Sequence, residues 1–365
     1  MVPLSWPPVN RALQAPPPQD MRWLRVEDAS AVAACRKAVQ LLAERLQFPA
    51  ARIDQLALAV TEAASNLHKH AKQGSVLLCV NRDGPQPGID LVTIDAGPGV
   101  RDVTAALRDG HSTAGTLGIG LGAIQRLADF SDLFSAPGRG TSLVARFGAV
   151  LAGGTTPQDP PGIGGAPRPP KPPWPPGPWG AGLIRPITGE TGCGDAYGAV
   201  EADGAITAML CDGLGHGPLA AAAAAAGVAA MLDDPAGEPA ALLARVHRRM
   251  NGTRGGAVGI VRIDGQQARF AGLGNVAASI VSGGKRKSMA SVPGIAGHQA
   301  RVIRQFEYEV SPGSAVILHS DGVSSHWEAA ALPGIEARDP LLIAAVLLAE
   351  AGSHRDDAGV LVLKP

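Results

Sequence analysis

The sequence predicts a two-domain α/β protein: an N-terminal α/β sandwich, then stacked antiparallel sheets covered by helices. Three observations carry that expectation. A chain of 365 residues is long enough to bury two separate cores. Between Pro157 and Trp179, prolines recur in pairs (Pro160-Pro161, Pro169-Pro170, Pro172-Pro173, Pro175-Pro176) with glycines between them. Such a stretch has no apolar periodicity and behaves as a stiff, extended spacer. The patterning also changes across it, from helices mixed with a few strands to many short apolar strands. The predicted organisation is a proline-rich tail over 1–20, a domain over 21–150, a Pro/Gly-rich linker over 151–180 and a second domain over 181–365.

In the first domain, Ala31 to Leu46 and Ile53 to His70 read as helices. In the second of these, Ile53, Leu56, Val60, Ala64 and Leu67 form one apolar stripe at three- and four-residue spacing. Ser75 to Val80, Ile89 to Ile94 and Ser142 to Phe147 read as strands, and Gly122 to Phe130 as a further helix. After the linker, Ala205 to Cys211, Ala257 to Ile263, Ala277 to Val281, Ala315 to His319 and Val360 to Leu363 read as strands. Leu219 to Leu232, Glu238 to Met250 and Pro340 to Ala351 read as helices.

The bulk composition excludes several classes of function. With 32 basic and 32 acidic residues the net charge is zero, so no overall field favours nucleic acid or an anionic membrane. The run Lys285-Arg286-Lys287 reads as a solvated turn. Cys35, Cys79, Cys193 and Cys211 are scattered without a CxxC pair, which fits a reducing compartment. The proline-interrupted N-terminus lacks the basic and apolar regions of a signal peptide. The longest apolar run, Pro218 to Leu232, is shorter than the roughly 20 residues that span a bilayer. These features predict a cytoplasmic protein with neither a membrane nor a nucleic-acid partner.

The first candidate site begins on the Ile53–His70 helix, where Glu62 and Asn66 lie four apart and share a face. A carboxylate and a carboxamide so placed can orient a nucleophile and hold a hard cation such as Mg²⁺. The strand ending at Ile94 runs into Asp95-Ala96-Gly97-Pro98-Gly99. A carboxylate only accepts hydrogen bonds, so Asp95 suits a purine amino group. Gly118, Gly120 and Gly122 then open a helix whose free N–H groups suit phosphates. No strand directly precedes this turn and no Gly-Lys-Ser/Thr follows, so it is neither a Rossmann nor a Walker A loop.

The order Glu62-x3-Asn66-x3-His70-Ala71, Asp95-x-Gly97-x-Gly99, Gly118-x-Gly120-x-Gly122 and Gly138-Arg139-Gly140-Thr141 resembles the GHKL ATPase family. Within it, Met21 to Val150 is most similar to the serine kinases of the RsbW and RsbT type that regulate anti-sigma factors and stress responses. The resemblance implies ATP with Mg²⁺, held by Asn66, Asp95, Gly97, Gly99, Gly118, Gly120, Gly122 and Thr141. Asn66 would hold the cation and Asp95 would read adenine. Glu62 would be the base, or the residue that orients the attacking serine hydroxyl. His68 and His70 read as helix-surface residues, and Arg101 and Arg108 are the basic residues of the segment where a lid would lie.

The second candidate site is a set of carboxylates at strand ends: Asp195, Asp212 after Ala205–Cys211, Asp321 after Ala315–Ser320, and Asp356-Asp357 before Val360–Leu363. Apolar strands that deliver several carboxylates to their ends need a cation to neutralise them. All-oxygen ligands select Mg²⁺ or Mn²⁺ over zinc. Asp203-Gly204 and Asp264-Gly265 read only as hairpin turns.

This set resembles the PPM phosphatases (the protein phosphatase 2C-like group), in particular the SpoIIE and RsbX branch, from about Gly182 to Leu363. The resemblance implies two Mn²⁺ or Mg²⁺ ions on Asp195, Asp212, Asp321, Asp356 and the Gly213 carbonyl, with a metal-bound water as nucleophile. Asp357 is a candidate to share the ligand role with Asp356. Cys193 and Cys211 then read as core residues and His216 as a turn residue or a general acid. Ser324-Ser325-His326 and Ala358-Gly359 depart from the branch's pattern.

Together the two resemblances imply a bifunctional regulator of a partner-switching pathway, with an ATP-dependent serine/threonine kinase and a metal-dependent phosphatase. The partners implied are STAS-domain anti-sigma-factor antagonists or stressosome-like proteins that control a sigma factor or another output. The alternative is a phosphatase whose N-terminal domain only binds ATP and gates partner docking.

Overall fold

The computed structural model describes residues 11–82, 86–100, 120–149 and 178–365. Gly118, Arg101, Arg108 and nearly all of the proline-rich linker lie outside these residues. The chain divides into two compact units, Pro16–Gly177 and a second made of Pro178–Pro365 together with Met1–Ala15.

In the first unit, α1 (Ala29–Arg45) starts where the Asp28 carboxylate accepts the N–H groups of Ser30 and Ala31 at 2.8 and 3.1 Å. Helix α2 (Ala50–His70) buries the predicted stripe of Leu56, Val60, Ala64 and Leu67. Both helices cover one face of an antiparallel sheet in the order β2-β3-β4-β6-β5. Its strands are β2 (Met21–Arg25), β3 (Ser75–Asn81), β4 (Gly88–Ile94), β5 (Phe130–Ser135) and β6 (Thr141–Gly148). Val76, Leu78, Val80, Ile89 and Leu91 meet Val39, Leu42, Leu56 and Val60 in the core between the layers.

Helix α3 (Gly120–Leu127) ends earlier than the sequence predicts. The Asp129 N–H leaves the helix for the Arg146 carbonyl at 2.9 Å, and Phe130 opens β5. Arg52, 3% exposed, pairs with Asp129 and donates to the carbonyls of Leu127 and Gly148 at 2.9 and 3.0 Å. A buried guanidinium with its donors satisfied in this way fixes the start of α2 against the end of α3 and the sheet.

The second unit stacks two antiparallel sheets. One runs β1-β8-β9-β10-β11-β14 and the other β13-β12-β15-β16-β7. The first contains β1 (Arg11–Gln14), β8 (Asp195–Ala202), β9 (Ala205–Gly213), β10 (Gly256–Asp264), β11 (Gln267–Leu273) and β14 (Phe306–Glu309). The second contains β7 (Gly180–Arg185), β12 (Ala277–Ser282), β13 (Lys285–Met289), β15 (Ala315–His319) and β16 (Ala358–Leu363). The Tyr197 hydroxyl on β8 donates to the Gly182 carbonyl on β7 at 2.9 Å, one of the bonds that join the sheets. Helices α4 (Pro218–Leu232) and α5 (Pro239–Arg249) pack on the six-stranded sheet, and the apolar α6 (Pro340–Ala351) packs on the five-stranded one.

Two expectations are corrected. Residues 11–14 are not part of a free tail: β1 pairs with Gly198–Glu201 of β8, adds Arg11 to Glu201 at 3.5 Å and closes one sheet edge. Lys285-Arg286-Lys287 is not a turn but the start of β13. The Arg286 guanidinium lies 4.4 Å over the Trp327 ring and donates to the Ser325 and Trp327 carbonyls. The exposed Lys285 and Lys287 suit an edge strand, where charge discourages further pairing. Asp203-Gly204 is the predicted two-residue hairpin, with φ of 52° and 77°. No described helix is long and apolar enough to cross a membrane.

Candidate functional site

The first cluster of candidate residues forms where β4 ends and β6 begins. The Asp95 N–H donates to the Thr141 carbonyl at 3.2 Å, and the Asp95 carboxylate accepts the Gly97 N–H at 2.6 Å. Burial pushes the Asp95 pKa up from the ordinary carboxylate value. Gly140 has φ +77°, and a Cβ there would lie 1.9 Å from the Asp95 carbonyl oxygen, so this strand-end crossing requires glycine. Gly99 faces it across the same turn, where the Gly138 N–H donates to the Pro98 carbonyl at 2.8 Å. The Ser135 hydroxyl lies 2.9 Å from Thr141 Oγ1 and accepts the Val100 N–H at 2.7 Å.

Glu62 and Asn66 are half-buried on α2. Gly120, the first residue of α3, abuts Asn66: a Cβ there would lie 2.9 Å from the amide nitrogen. Gly122 is buried one turn into α3, and Gly118 lies outside the described residues. The helix carrying the amide and the helix that begins at Gly120 therefore meet at Asn66.

In the second unit, register does the gathering. Asp195 opens β8 directly opposite Asp212 on β9, a like-charged cross-strand pair that destabilises a sheet when nothing neutralises it. From the other sheet, β15 and β16 pair side by side, and their ends deliver Asp321 and Asp356. The Gly213 backbone presses on α4, where a Cβ would lie 2.2 Å from the Ala220 carbonyl oxygen. Asp195 is 2% exposed, and its Oδ1 is buried without a hydrogen-bond partner. Its Oδ2 accepts the Ser320 hydroxyl at 2.6 Å, and the Ser320 oxygen in turn accepts the Gly359 N–H at 2.8 Å.

Electrostatics follow from that crowding. Burial, then the neighbouring Asp212, push the Asp195 carboxyl well above its ordinary range. Burial, then Asp321 and Asp356, push Asp212 up to about 7. Burial and Asp356 also raise Asp321. Among the described residues, no three or more His, Cys, Asp or Glu side chains form a group that could hold a metal ion by themselves. Asp212 and Asp321 share a side-chain hydrogen bond, and Asp195, Asp212 and Asp321 each feel a neighbouring carboxylate.

Residues 25–147 match the family described as Histidine kinase-like ATPase domain, and residues 202–365 match Stage II sporulation protein E (SpoIIE). The chain is 30% identical over 126 residues to the serine/threonine-protein kinase RsbT of Bacillus subtilis (strain 168), spanning 34% of this chain and 95% of that protein. The chain belongs to the RsbT-like kinase family, fused to a SpoIIE phosphatase domain. Among solved structures it is similar to a bacterial stressosome protein (27% identity, TM-score 0.46, 50% of this chain and 97% of that one). It is also similar to RsbX in complex with magnesium (20% identity, TM-score 0.44, 50% and 92%).

Two residues of the SpoIIE domain, Ser320 and Asn275, escape sequence reasoning, and the Asp356-Asp357 pair is sorted by its hydrogen bonds. Ser320 acts through Asp195, far away in sequence. Asp357 is 3% exposed, and both its oxygens are taken by backbone N–H groups, Ile187 at 2.7 Å and Gly194 at 2.8 Å. Asp356 is exposed, and its Oδ1 accepts only the N–H of Asp357, at 2.9 Å. Asn275 ends the turn before β12, and its amide Nδ2 donates to Asp321 Oδ2. A polar residue beside a glycine at a strand end is the one signal the sequence offers for it.

Cys193 and Cys211 are buried, and burial followed by the nearby carboxylates pushes both thiols up, so neither is a poised thiolate. His216 is exposed, with Nδ1 3.4 Å from Glu190 Oε1.

Proposed function

We propose that this chain is a bifunctional regulator whose RsbT-like domain phosphorylates, and whose SpoIIE domain dephosphorylates, a serine or threonine of a STAS-domain protein in a partner-switching pathway. The observation that carries the phosphatase half is the buried, unpartnered Oδ1 of Asp195, opposite the half-buried Asp212, with the exposed Asp321 and Asp356 delivered from the other sheet. A buried carboxylate oxygen without a donor is costly, and a cation is the partner that fits it.

The donor set is all oxygen, which suits Mg²⁺ or Mn²⁺, ions that keep several waters and so tolerate few protein ligands. Asp195, Asp212, Asp321, Asp356 and the Gly213 carbonyl would hold two such ions. When bound, the ions supply Lewis acidity for an activated water and a positive seat for phosphoryl oxygens. The protein's part is orientation. Ser320 holds the Asp195 rotamer, and Asp357 pins the loop before β8 by its two backbone bonds.

In the RsbT-like domain, Asn66 and the Gly118–Gly122 turn would hold magnesium and phosphates, while the half-buried Asp95 would accept the adenine amino group. Gly97, Gly99 and Thr141 shape the adenine end. Glu62 would accept the proton as the protein hydroxyl oxygen bonds to the γ-phosphorus and the β,γ-bridging oxygen departs with ADP. The 30% identity to a serine/threonine-protein kinase over nearly its whole length supports this half.

The test is paired. The purified chain should hydrolyse phosphoserine on a pre-phosphorylated STAS protein in Mn²⁺ but not in EDTA. It should also transfer label from γ-labelled ATP to the unphosphorylated protein, and Glu62→Gln should stop that transfer. ATP binding without transfer in an Asp321→Asn background would make the first domain a binding switch rather than a kinase.

A further inference from the structure

We infer that Asn275 is a positioning residue for the phosphatase site, acting through Asp321. This rests on the phosphatase reading above. Two independent registers place it. β11 pairs with β10 up to Leu273 opposite Val258, and the turn that follows carries the chain into the other sheet at Ala277. There β12 pairs with β15 so that Ala277 lies opposite His319. Continued by two residues, that register sets Asn275 opposite Asp321, and the amide Nδ2 donates to Asp321 Oδ2. Asn275 is therefore the point where the connection between the two sheets reaches Asp321.

The chemistry of the donor decides its role. The neighbours that most raise Asp212 and Asp321 are burial and other carboxylates, so Asp321 stands among like charges. A lysine or arginine at position 275 would neutralise Asp321 and compete with a cation for it. A carboxamide donates one hydrogen bond and leaves the negative charge for the ion. Asn275 and Asp321 are both exposed, so a hydrogen bond between them contributes little to folding. What it fixes is which oxygen of Asp321 faces the other carboxylates. Groups that orient a ligating carboxylate in this way typically carry roughly 10–100-fold in metal affinity or activity.

The experiment titrates Mn²⁺ alone into the full chain by calorimetry, without substrate, for the parent, Asn275→Ala and Asn275→Asp. The Asp variant keeps the shape but cannot donate when ionised. Expected for both variants is an unchanged melting temperature in EDTA and Mn²⁺ affinity weakened by roughly 10–100-fold. Dephosphorylation at limiting Mn²⁺ should fall in step, recover at saturating Mn²⁺ and keep the same KM for the phosphoprotein. Parent-like Mn²⁺ affinity in both variants overturns the inference and leaves the phosphatase reading standing. Absence of Mn²⁺ binding and hydrolysis in the parent chain overturns both. A loss confined to KM would assign Asn275 to substrate contact and also overturn the positioning role.

Discussion

Replacing Asp212 by asparagine should stabilise the metal-free protein while abolishing phosphatase activity, and the gain should grow as pH rises from about 4 to about 7. Asp212 faces Asp195 across the β8–β9 ladder, and burial together with Asp321 and Asp356 raises its carboxyl from 3.8 to about 7. A carboxyl raised in the folded state leaves stability intact below its unfolded value of 3.8. That stability is lost progressively as pH climbs from about 4 to about 7, because over that range the unfolded chain has already ionised while the folded protein still holds the proton. At pH 8.5 the ionised Asp212 costs on the order of 4 kcal/mol. For a domain of this size that corresponds to roughly 10 °C in melting temperature. The assay is calorimetric melting of the full chain in EDTA between pH 5 and pH 8.5, following the transition that Mn²⁺ shifts. The variant should melt higher by a margin that is modest at pH 5, widens towards neutrality and is nearly constant above it. A variant less stable than the parent at pH 8.5, or a gain of equal size at pH 5, would refute the reasoning.

Ser320→Ala removes a hydrogen bond to a buried carboxylate; it should weaken Mn²⁺ binding by roughly 10–100-fold in a calorimetric titration. Asp357→Ala leaves the N–H groups of Ile187 and Gly194 without their acceptor, so it should lower stability by about 2–4 kcal/mol in urea unfolding even without metal. Asn66→Ala should abolish ATP binding by equilibrium dialysis and leave dephosphorylation unchanged. Deleting residues 1–15 uncovers the β8 edge; it should lower the melting temperature of the Mn²⁺-responsive transition and increase aggregation in light scattering.

Periodicity made much of this architecture legible. The stripe on α2 and the apolar runs of β9, β10, β12, β15 and β16 have compositions that only buried elements carry, and the carboxylates stand at their ends. The elements that escaped have weak or contrary signals. β1 is the short, mostly exposed Arg-Ala-Leu-Gln, held by a ladder to residues nearly 190 positions away. β8 is rich in alanine and glycine, and the basic β13 is held by its ladder to β12, with Arg286 stacked on Trp327. At the site, the sequence names Asp195, Asp212, Asp321 and Asp356 as candidate ligands and leaves open whether Asp357 shares the role. In the structure two backbone N–H groups, of Ile187 and Gly194, occupy the Asp357 carboxylate. Ser320 and Asn275 were invisible for a related reason, since each acts through a carboxylate that only the strand register brings near.

The central claim is that one chain both adds and removes the same kind of phosphate. It is tested most directly by following label on a STAS-domain protein after γ-labelled ATP is added to the full chain with Mg²⁺ and Mn²⁺. The account predicts transient labelling by the parent, stable accumulation by Asp321→Asn, and none by Asn66→Ala. An Asp321→Asn protein that binds ATP yet never labels any STAS-domain substrate would contradict it.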